Sequence, residues 1–313
     1  NMADNFCDYC NNDIPESCEY TLCGDEAAVN FDEFCETHNC INWDDVCIYT
    51  VTQSIALNSF MLNNISLNVI PLDNDAASIL SENDLLLAKN DAGGYLVTGI
   101  GVNTIGDWET EEGYYIFLST STGQNLIVEG YPILDASDYP IEIQPFMVND
   151  IAYLLDEPTS ISDLMGDIDI LLVKDDQGHY YVPAVGVNTI DGSGGMFPGK
   201  GYDVFLSTNV PQTFVYPSQG GLVRTAEMAL NEAMLSASVS QQYEIMQTGI
   251  SHPVIITGIN GEVEAGDEVA VYANGEVVGA TRIVDINSPV TIAAWGAFNE
   301  YGIELPGYTL GDE

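Results

Sequence analysis

The sequence predicts an all-β protein: tandem β-sandwich (Ig-like) modules preceded by a small disulfide-rich module. Three observations carry this expectation. The 313 residues include 29 glycines and 13 prolines, spaced as in a chain of short strands and turns. All seven cysteines fall within the first 47 residues. Long stretches recur at a near-constant offset, and "GVNTI" stands at 101–105 and again at 186–190. Self-similarity of that length marks tandem copies of one structural unit. The expected segments are Cys-rich repeats at 1–52, β repeats at 53–135 and 136–220, a linker or short helix at 221–242, and a β-sandwich module at 243–313.

The cysteines are Cys7, Cys10, Cys18, Cys23, Cys35, Cys40 and Cys47. Their clustering suits a module too small to bury enough apolar surface unaided. Cys7-x-x-Cys10 also has a zinc-ligand spacing, but no second matching pair follows, and His38 is the one histidine nearby. Two copies of a short unit overlay here. Asn5-Phe6 matches Asn30-Phe31, Cys10 matches Cys35, and Cys18-Glu19-Tyr20 matches Cys47-Ile48-Tyr49. On that overlay Cys23 pairs with Cys47, Cys35 with Cys40 and Cys7 with Cys10. Cys18 then pairs with a residue upstream of the first one given; the alternative is that one thiol links two chains. Closing the Cys23–Cys47 loop contributes about 3 kcal/mol in the chain-entropy picture.

The long repeat aligns 83–105 with 168–190, "GYYIFLST" (113–120) with "GYDVFLST" (201–208), and "FMLNNISL" (60–67) with "FMVNDIAY" (146–153). Each copy reads as a glycine-turned hairpin, 85–89 with 95–98 and 170–174 with 179–182. In the strand that follows, Tyr114, Ile116 and Leu118, like Tyr202, Val204 and Leu206, keep an apolar face for the core. The opposite face changes from Tyr115 to Asp203 and is expected to be more exposed. In "GVNTI", Gly101 and Gly186 suit a backbone conformation closed to other residues. Asn103 and Asn188 can bond their own backbone in a turn. Ligand binding by these two asparagines is the functional alternative.

Residues 225–242 are small and polar, with scattered Met and Leu. A connector is preferred there to a short helix packing through Met228 and Leu235. Strand patterns return at 253–257, 268–283 and 289–295, and Asn274-Gly275 marks a type I′ hairpin.

Charge narrows the function. Asp and Glu number 48 against five Lys and Arg, a net charge of −43. Such a chain repels phosphate backbones and anionic lipid, so neither nucleic acid nor a membrane surface is an expected partner. No apolar run is long enough for a membrane span. The start, Asn1-Met2-Ala3-Asp4, is not that of a signal peptide, and a processed or partial form is expected. No nucleophile-elbow, zincin or phosphate-loop pattern occurs, and His179 and His252 are expected to be solvated. Carboxylate pairs such as Asp167 with Asp169 are too common here to mark a glycosidase. The chain is not expected to be an enzyme.

The stretch "CGDEAAVNFDEFC…NWDDVCIY" resembles the short Cys-rich repeat of secreted, modular proteins of Bacteroidota, through Cys23, Asp25, Ala28, Asn30, Phe31, Asp32, Asp44, Asp45, Cys47 and Tyr49. Asp25, Asn30, Asp32, Asp44 and Asp45 offer hard oxygen ligands suited to calcium; turn-forming Asx residues are the alternative. The long repeat is similar to one in Bacteroidota surface proteins, through Lys174, Gly178, Tyr181, Pro183, Asn188, Pro198, Gly199, Gly201, Tyr202 and Leu206. Residues 243–313 resemble a terminal module that continues past "GDE" in relatives, so truncation is expected. The resemblance implies β-rich modules outside the cell and no catalytic residues. The expected function is a structural subunit of an extracellular or cell-surface filament, appendage or matrix, self-associating through open strand edges. The alternative is an adhesin or carbohydrate-binding region. It would offer a glycan or other surface ligand an aromatic platform drawn from Trp43, Trp108, Tyr115 and Trp295, although core or interface positions are the preferred expectation for each.

Overall fold

The computed structural model describes Cys23, Ala28, Asn30 and residues 47–218, 226–300 and 302–312. The first repeat runs through β1 (Val51–Leu57), β2 (Asn63–Ile65), β3 (Val69–Pro71), α1 (Ala76–Ile79), β4 (Leu85–Lys89), β5 (Tyr95–Val97), β6 (Val102–Asn103), β7 (Tyr114–Leu118) and β8 (Gln124–Pro132). Five strands form one antiparallel sheet in the order β2-β7-β4-β5-β6, and three form a second, β1-β8-β3. The alternating face expected of β7 does the packing. Tyr114, Ile116 and Leu118 meet Ile55, Leu126 and Val128 of the second sheet in one apolar layer. The result is a two-layer sandwich.

The second repeat rebuilds the plan with β9 (Ile141–Ile143), β10 (Asn149–Ala152), α2 (Ile161–Met165), β11 (Ile170–Lys174), β12 (Tyr180–Val182), β13 (Val187–Asn188), α3 (Thr189–Gly192), β14 (Gly201–Leu206) and β15 (Gln212–Phe214). Its larger sheet has the matching order β10-β14-β11-β12-β13, with the register shift at the corresponding place in β11 as in β4. Tyr202, Val204 and Leu206 face Ile141, Ile143 and Phe214 across the core.

The repeated pentapeptide has a structural cause at nearly every position. Gly101 and Gly186 take left-handed φ values of 67° and 71°, where a Cβ would be strained. Asn103 Oδ1 accepts from Gly106 N at 3.1 Å, and Asn188 Oδ1 accepts from Asp191 N at 3.0 Å. Thr104 and Thr189 Oγ1 accept from the amides of Tyr95 and Tyr180 at 2.8 and 2.7 Å, clamping the hairpin. Ile105 packs against the core of the first repeat, and Ile190 lies within that of the second. Asn188 is also the N-cap of α3, so its amide serves the turn.

Residues 226–238 correct the connector expectation: they form α4 (Ala226–Ser238). Ala, Glu, Met and Leu dominate the segment and are strong helix formers. Leu235 seats against α3, where Gly192 leaves room for it. The side chain of Met228 lies outside the described residues.

The last module comprises β16 (Ser251–Ile256), β17 (Glu268–Ala273), β18 (Glu276–Arg282), β19 (Val290–Trp295), β20 (Phe298–Glu300) and β21 (Ile303–Leu305). The β17–β18 turn has the expected positive φ at both Asn274 (51°) and Gly275 (87°). The module packs on both repeats. Phe298 stacks on Phe117 of β7 with ring centroids 4.7 Å apart and planes 6° apart. Ile255 and Ala293 pack on Tyr180 and Val182. The face of β7 expected to be exposed is therefore covered, because a third module lies against it.

Candidate functional site

The two repeats meet about a local two-fold axis, and equivalent residues touch each other across it. Asn64 of β2 and Asp150 of β10 occupy the same repeat position, and Asn64 Nδ2 donates to Asp150 Oδ1 at 2.8 Å. Tyr115 and Asp203 are likewise equivalent, and the Tyr115 hydroxyl donates to Asp203 Oδ1. The hairpin of each repeat reaches the other. Asp176 Oδ2 accepts from Asn64 N at 3.0 Å, and Asp91 Oδ2 accepts from Asp150 N at 2.8 Å. Paired β-bridges, Ile65 with Lys200 and Glu112 with Ile151, complete the junction.

Glycines let it close. An ideal Cβ on Gly201 would lie 2.0 Å from Asn64 Oδ1, and one on the equivalent Gly113 would lie 2.2 Å from Asp150 Oδ1. Asn64 Oδ1 and Asp150 Oδ2 are buried without a conventional hydrogen-bond partner. Both lie against the glycine positions: an ideal Cβ would stand 2.0 Å from Asn64 Oδ1 at Gly201 and 2.9 Å from Asp150 Oδ2 at Gly113.

All three lysines of the chain lie along this junction or the strands that form it. Lys174 Nζ is 3.1 Å from Asp203 Oδ2, and Lys200 Nζ is 2.8 Å from Asp176 Oδ1. Lys89 lies 5.5 Å above the Tyr115 ring, a cation–π distance. In a chain this acidic, Lys174 and Lys200 sit beside buried carboxylates. The two halves also differ in charge at a further position: Lys200 faces Asp176, whereas its equivalent Glu112 lies near Asp91.

The electrostatics follow from burial. Burial pushes the Asp150 carboxyl well above its ordinary 3.8, and the Asp203 charge adds to that. Asp91, Asp176 and Glu112 are also raised, with burial the leading cause in each. His179 Nδ1 lies 2.7 Å from Asp175 Oδ2. Burial opposes charge on both groups. Even so, the His179 charge and hydrogen bonds carry Asp175 below its ordinary range, and Asp175 carries His179 above 6.5.

These directions fix a pH dependence. A raised carboxyl stabilises the fold below its unfolded pKa, and that contribution is lost as pH climbs through the folded value. For Asp150 the loss begins near 3.8, and for His179 near 6.5. The lowered Asp175 acts oppositely, and its contribution disappears as pH falls through its folded value. Unfolding at fixed ionic strength is expected to have a higher midpoint at pH 5 than at pH 8. Asp150→Asn keeps an acceptor for Asn64 without the ionisable group. It should raise the pH 8 midpoint, leave the pH 5 midpoint nearly unchanged, and so narrow the gap. An unchanged gap would mean that Asp150 does not titrate as its burial demands.

The residues named from sequence are distributed as follows. Cys23 and Cys47 are joined as a disulfide, with sulfurs 2.06 Å apart, and both are buried with Ala28. Asn30 Oδ1 accepts from Ile48 N at 2.7 Å, a backbone role next to that crosslink. Cys7, Cys10, Cys18, Cys35, Cys40, Asp25, Asp32, Asp44, Asp45, Trp43 and His38 lie outside the described residues. Trp108 and Trp295 take core and interface positions, not those of an exposed aromatic platform. Trp108 is 4% exposed and stacks on Tyr114, while Trp295 is 5% exposed and packs against Gly178. Tyr115 is turned into the junction. These rings fill cores and interfaces because the apolar area they bury there outweighs a surface role. His179 is corrected, from a solvated tip to a largely buried ion pair. His252 is exposed.

Sequence reasoning missed the junction itself. Its trace was present in Asn64 and Asp150, and in Asp91 and Asp176: polar residues kept at equivalent positions of strands and turns that are otherwise apolar or glycine-rich.

The chain is thus an all-β protein of antiparallel sheets with few helices, and among the described residues no helix is long and apolar enough to cross a membrane. In comparisons with known protein families, curated proteins and solved structures, none matches it.

Proposed function

We propose that the chain is a structural building block of an extracellular filament, appendage or surface matrix, joined to its neighbours through its β modules. The observation that carries this reading is where the polar chemistry goes. Asp91, Asp150, Asp176 and Asp203, with Asn64 and Tyr115, are spent on holding one repeat to the other, and Lys174 and Lys200 pair with two of those carboxylates from within the second repeat. The third module is stacked onto both repeats, which favours a stiff unit over loose beads. The location outside the cell rests on the cysteine cluster, the Cys23–Cys47 bond and the acidic charge. Calcium at the Cys-rich module belongs to the same proposal. The glycan-binding reading loses support, since Trp108 and Trp295 are buried and Tyr115 is hydrogen-bonded within the chain.

Electron microscopy of the purified chain at raised salt, with and without calcium, tests the reading. Salt matters because like-charged units repel over a Debye length of about 8 Å at physiological ionic strength and about 3 Å at 1 M. Ordered filaments or sheets are the expected result. Dispersed monomers under every condition would sink it.

A further inference from the structure

We infer that β1 is an open joint, and that a second copy of this chain pairs with it, β1 to β1, antiparallel about a two-fold axis at Ser54. The register of the sheet shows which backbone groups are free. Leu72 N donates to Glu129 O, so the polar groups of Glu129 face β3, and those of the alternate residues of β8 face β1. The hydrogen-bonded partners in β1 are therefore Val51, Gln53, Ile55 and Leu57. Thr52, Ser54 and Ala56 turn their N–H and C=O groups away from β8. All three residues are exposed, and no partner for their backbone groups exists among the described residues.

Open edges of this kind are normally blunted by charge, proline, a bulge or shortness. β1 has none of these. Val51-Thr52-Gln53-Ser54-Ile55-Ala56-Leu57 carries no charge and no proline, and its pairing with β8 is unbroken over seven residues. The chain supplies its own control. The equivalent stretch of the second repeat, 137–143, contains Asp138, Pro140 and Glu142, and only Ile141–Ile143 remains a strand. The core positions are retained, Ile55 as Ile141 and Leu57 as Ile143, so the difference lies in the edge. The longer terminal strands of the last module are also guarded, β16 by Pro253 and β17 by Glu268. One repeat has a protected edge and the other has a bare one.

The bare edge is complementary to itself. An antiparallel pair centred on Ser54 sets Thr52 against Ala56 of the second copy, and Ser54 against its own counterpart. Each outward amide then meets an outward carbonyl. The side chains brought together are small and uncharged, so no like charges stand opposite, which would weaken the pairing. A second copy meets this requirement where β8, β9, β10, β14, β17, β18, β20 or β21 would each bring a carboxylate. The resulting sheet runs continuously from β3 of one chain to β3 of the other.

The proposal supplies one joint for the assembly reading above, and the two can fail separately. Sedimentation in 1 M NaCl should show dimers or larger species formed by the unaltered chain. Ser54→Pro removes an outward N–H without breaking a bond to β8, and should weaken association at least about tenfold. Ser54→Lys keeps the N–H but sets two ammonium groups face to face, and should do the same; it serves if the proline variant misfolds. Hydrogen exchange adds a positional readout. On association the amides of Thr52, Ser54 and Ala56 should gain protection, while those of Gln53 and Ile55, already bonded to β8, should not change. The proposal is overturned if both variants associate like the unaltered chain, if those three amides stay unprotected in associated protein, or if the unaltered chain remains monomeric in 1 M salt. Filaments that persist in Ser54→Pro would sink this pairing alone. Protected amides without filaments would sink the filament reading alone.

Discussion

Gly201→Ala is expected to destabilise the protein by about 3 kcal/mol, summing overpacking with the loss of a buried hydrogen bond. An ideal Cβ at 201 stands 2.0 Å from Asn64 Oδ1, 2.8 Å from its Cγ and 3.1 Å from Asp150 Oδ1. Asn64 is poorly able to swing aside. Its Nδ2 is bonded to Asp150, and its backbone amide is bonded to Asp176. Relief therefore requires the repeats to separate at their axis, or the Asn64–Asp150 bond to break and leave both groups buried. Thermal or urea unfolding would show the loss, as a drop in midpoint of about 5–10 °C in a chain of this size class. Gly113→Ala should behave alike, since its Cβ would meet Asp150 Oδ1 at 2.2 Å. Combining Gly201→Ala with Asn64→Ala should recover part of the loss, because the second change removes the atoms that the first one strikes. A Gly201→Ala protein within about 0.5 kcal/mol of the parent would mean that the repeats do not close as described.

The strands were legible because their signals are local. Alternation in 114–118 and 202–206, the glycine turns at 93 and 178, and the Asn274-Gly275 pair each act within a few residues, and the structure keeps them. The repeat was legible because identity at fixed spacing needs no geometry. What could not be read was which surfaces the modules would bury against one another. Tyr115 and Asp203 looked like a face free to vary, since position-by-position comparison assumes that each copy stands alone. In a two-fold junction the copies are partners, so a tyrosine in one can be matched by a carboxylate in the other. The same assumption set His179 on the outside. Burial of large aromatic rings depends on what arrives from elsewhere in the chain, which no local window contains. The helix at 226–238 was passed over for a related reason: its apolar residues are sparse, and its contact with α3 lies more than thirty residues back along the chain.

Removing the amide of Asn63 or Asn149 is expected to cost about 3 kcal/mol at either site, since several buried groups lose partners together. The two side chains perform the same task in the two repeats. Asn63 Oδ1 accepts from Asn58 N at 2.7 Å, and its Nδ2 donates to the carbonyls of Asn58, Met61 and Ile116 at 2.9, 3.2 and 3.1 Å. Asn149 repeats this with Gln144 N at 2.7 Å and with the carbonyls of Gln144, Met147 and Val204 at 2.9, 3.3 and 3.2 Å. Each amide ties a turn to the neighbouring strand, and each turn holds a bulky residue at positive φ, Phe60 at 58° and Phe146 at 65°. A phenylalanine there is strained by its Cβ. The turn persists because the asparagine satisfies its backbone groups at once. Asn149→Ala leaves those groups without the side chain and creates a void, so the turn should relax and the amide of Gln144 should exchange faster. Asn149→Asp keeps the acceptor for Gln144 N but removes both amide hydrogens. It should be at least as damaging at pH 7, where an added charge must also be buried. The matching changes at Asn63 should give the same ranking, because β2 and β7 frame it as β10 and β14 frame Asn149. Urea unfolding with exchange measured at residues 58 and 144 would decide it. A loss below about 1 kcal/mol at both sites, with the two turn amides still protected, would show that the turns are held by packing and not by the asparagines.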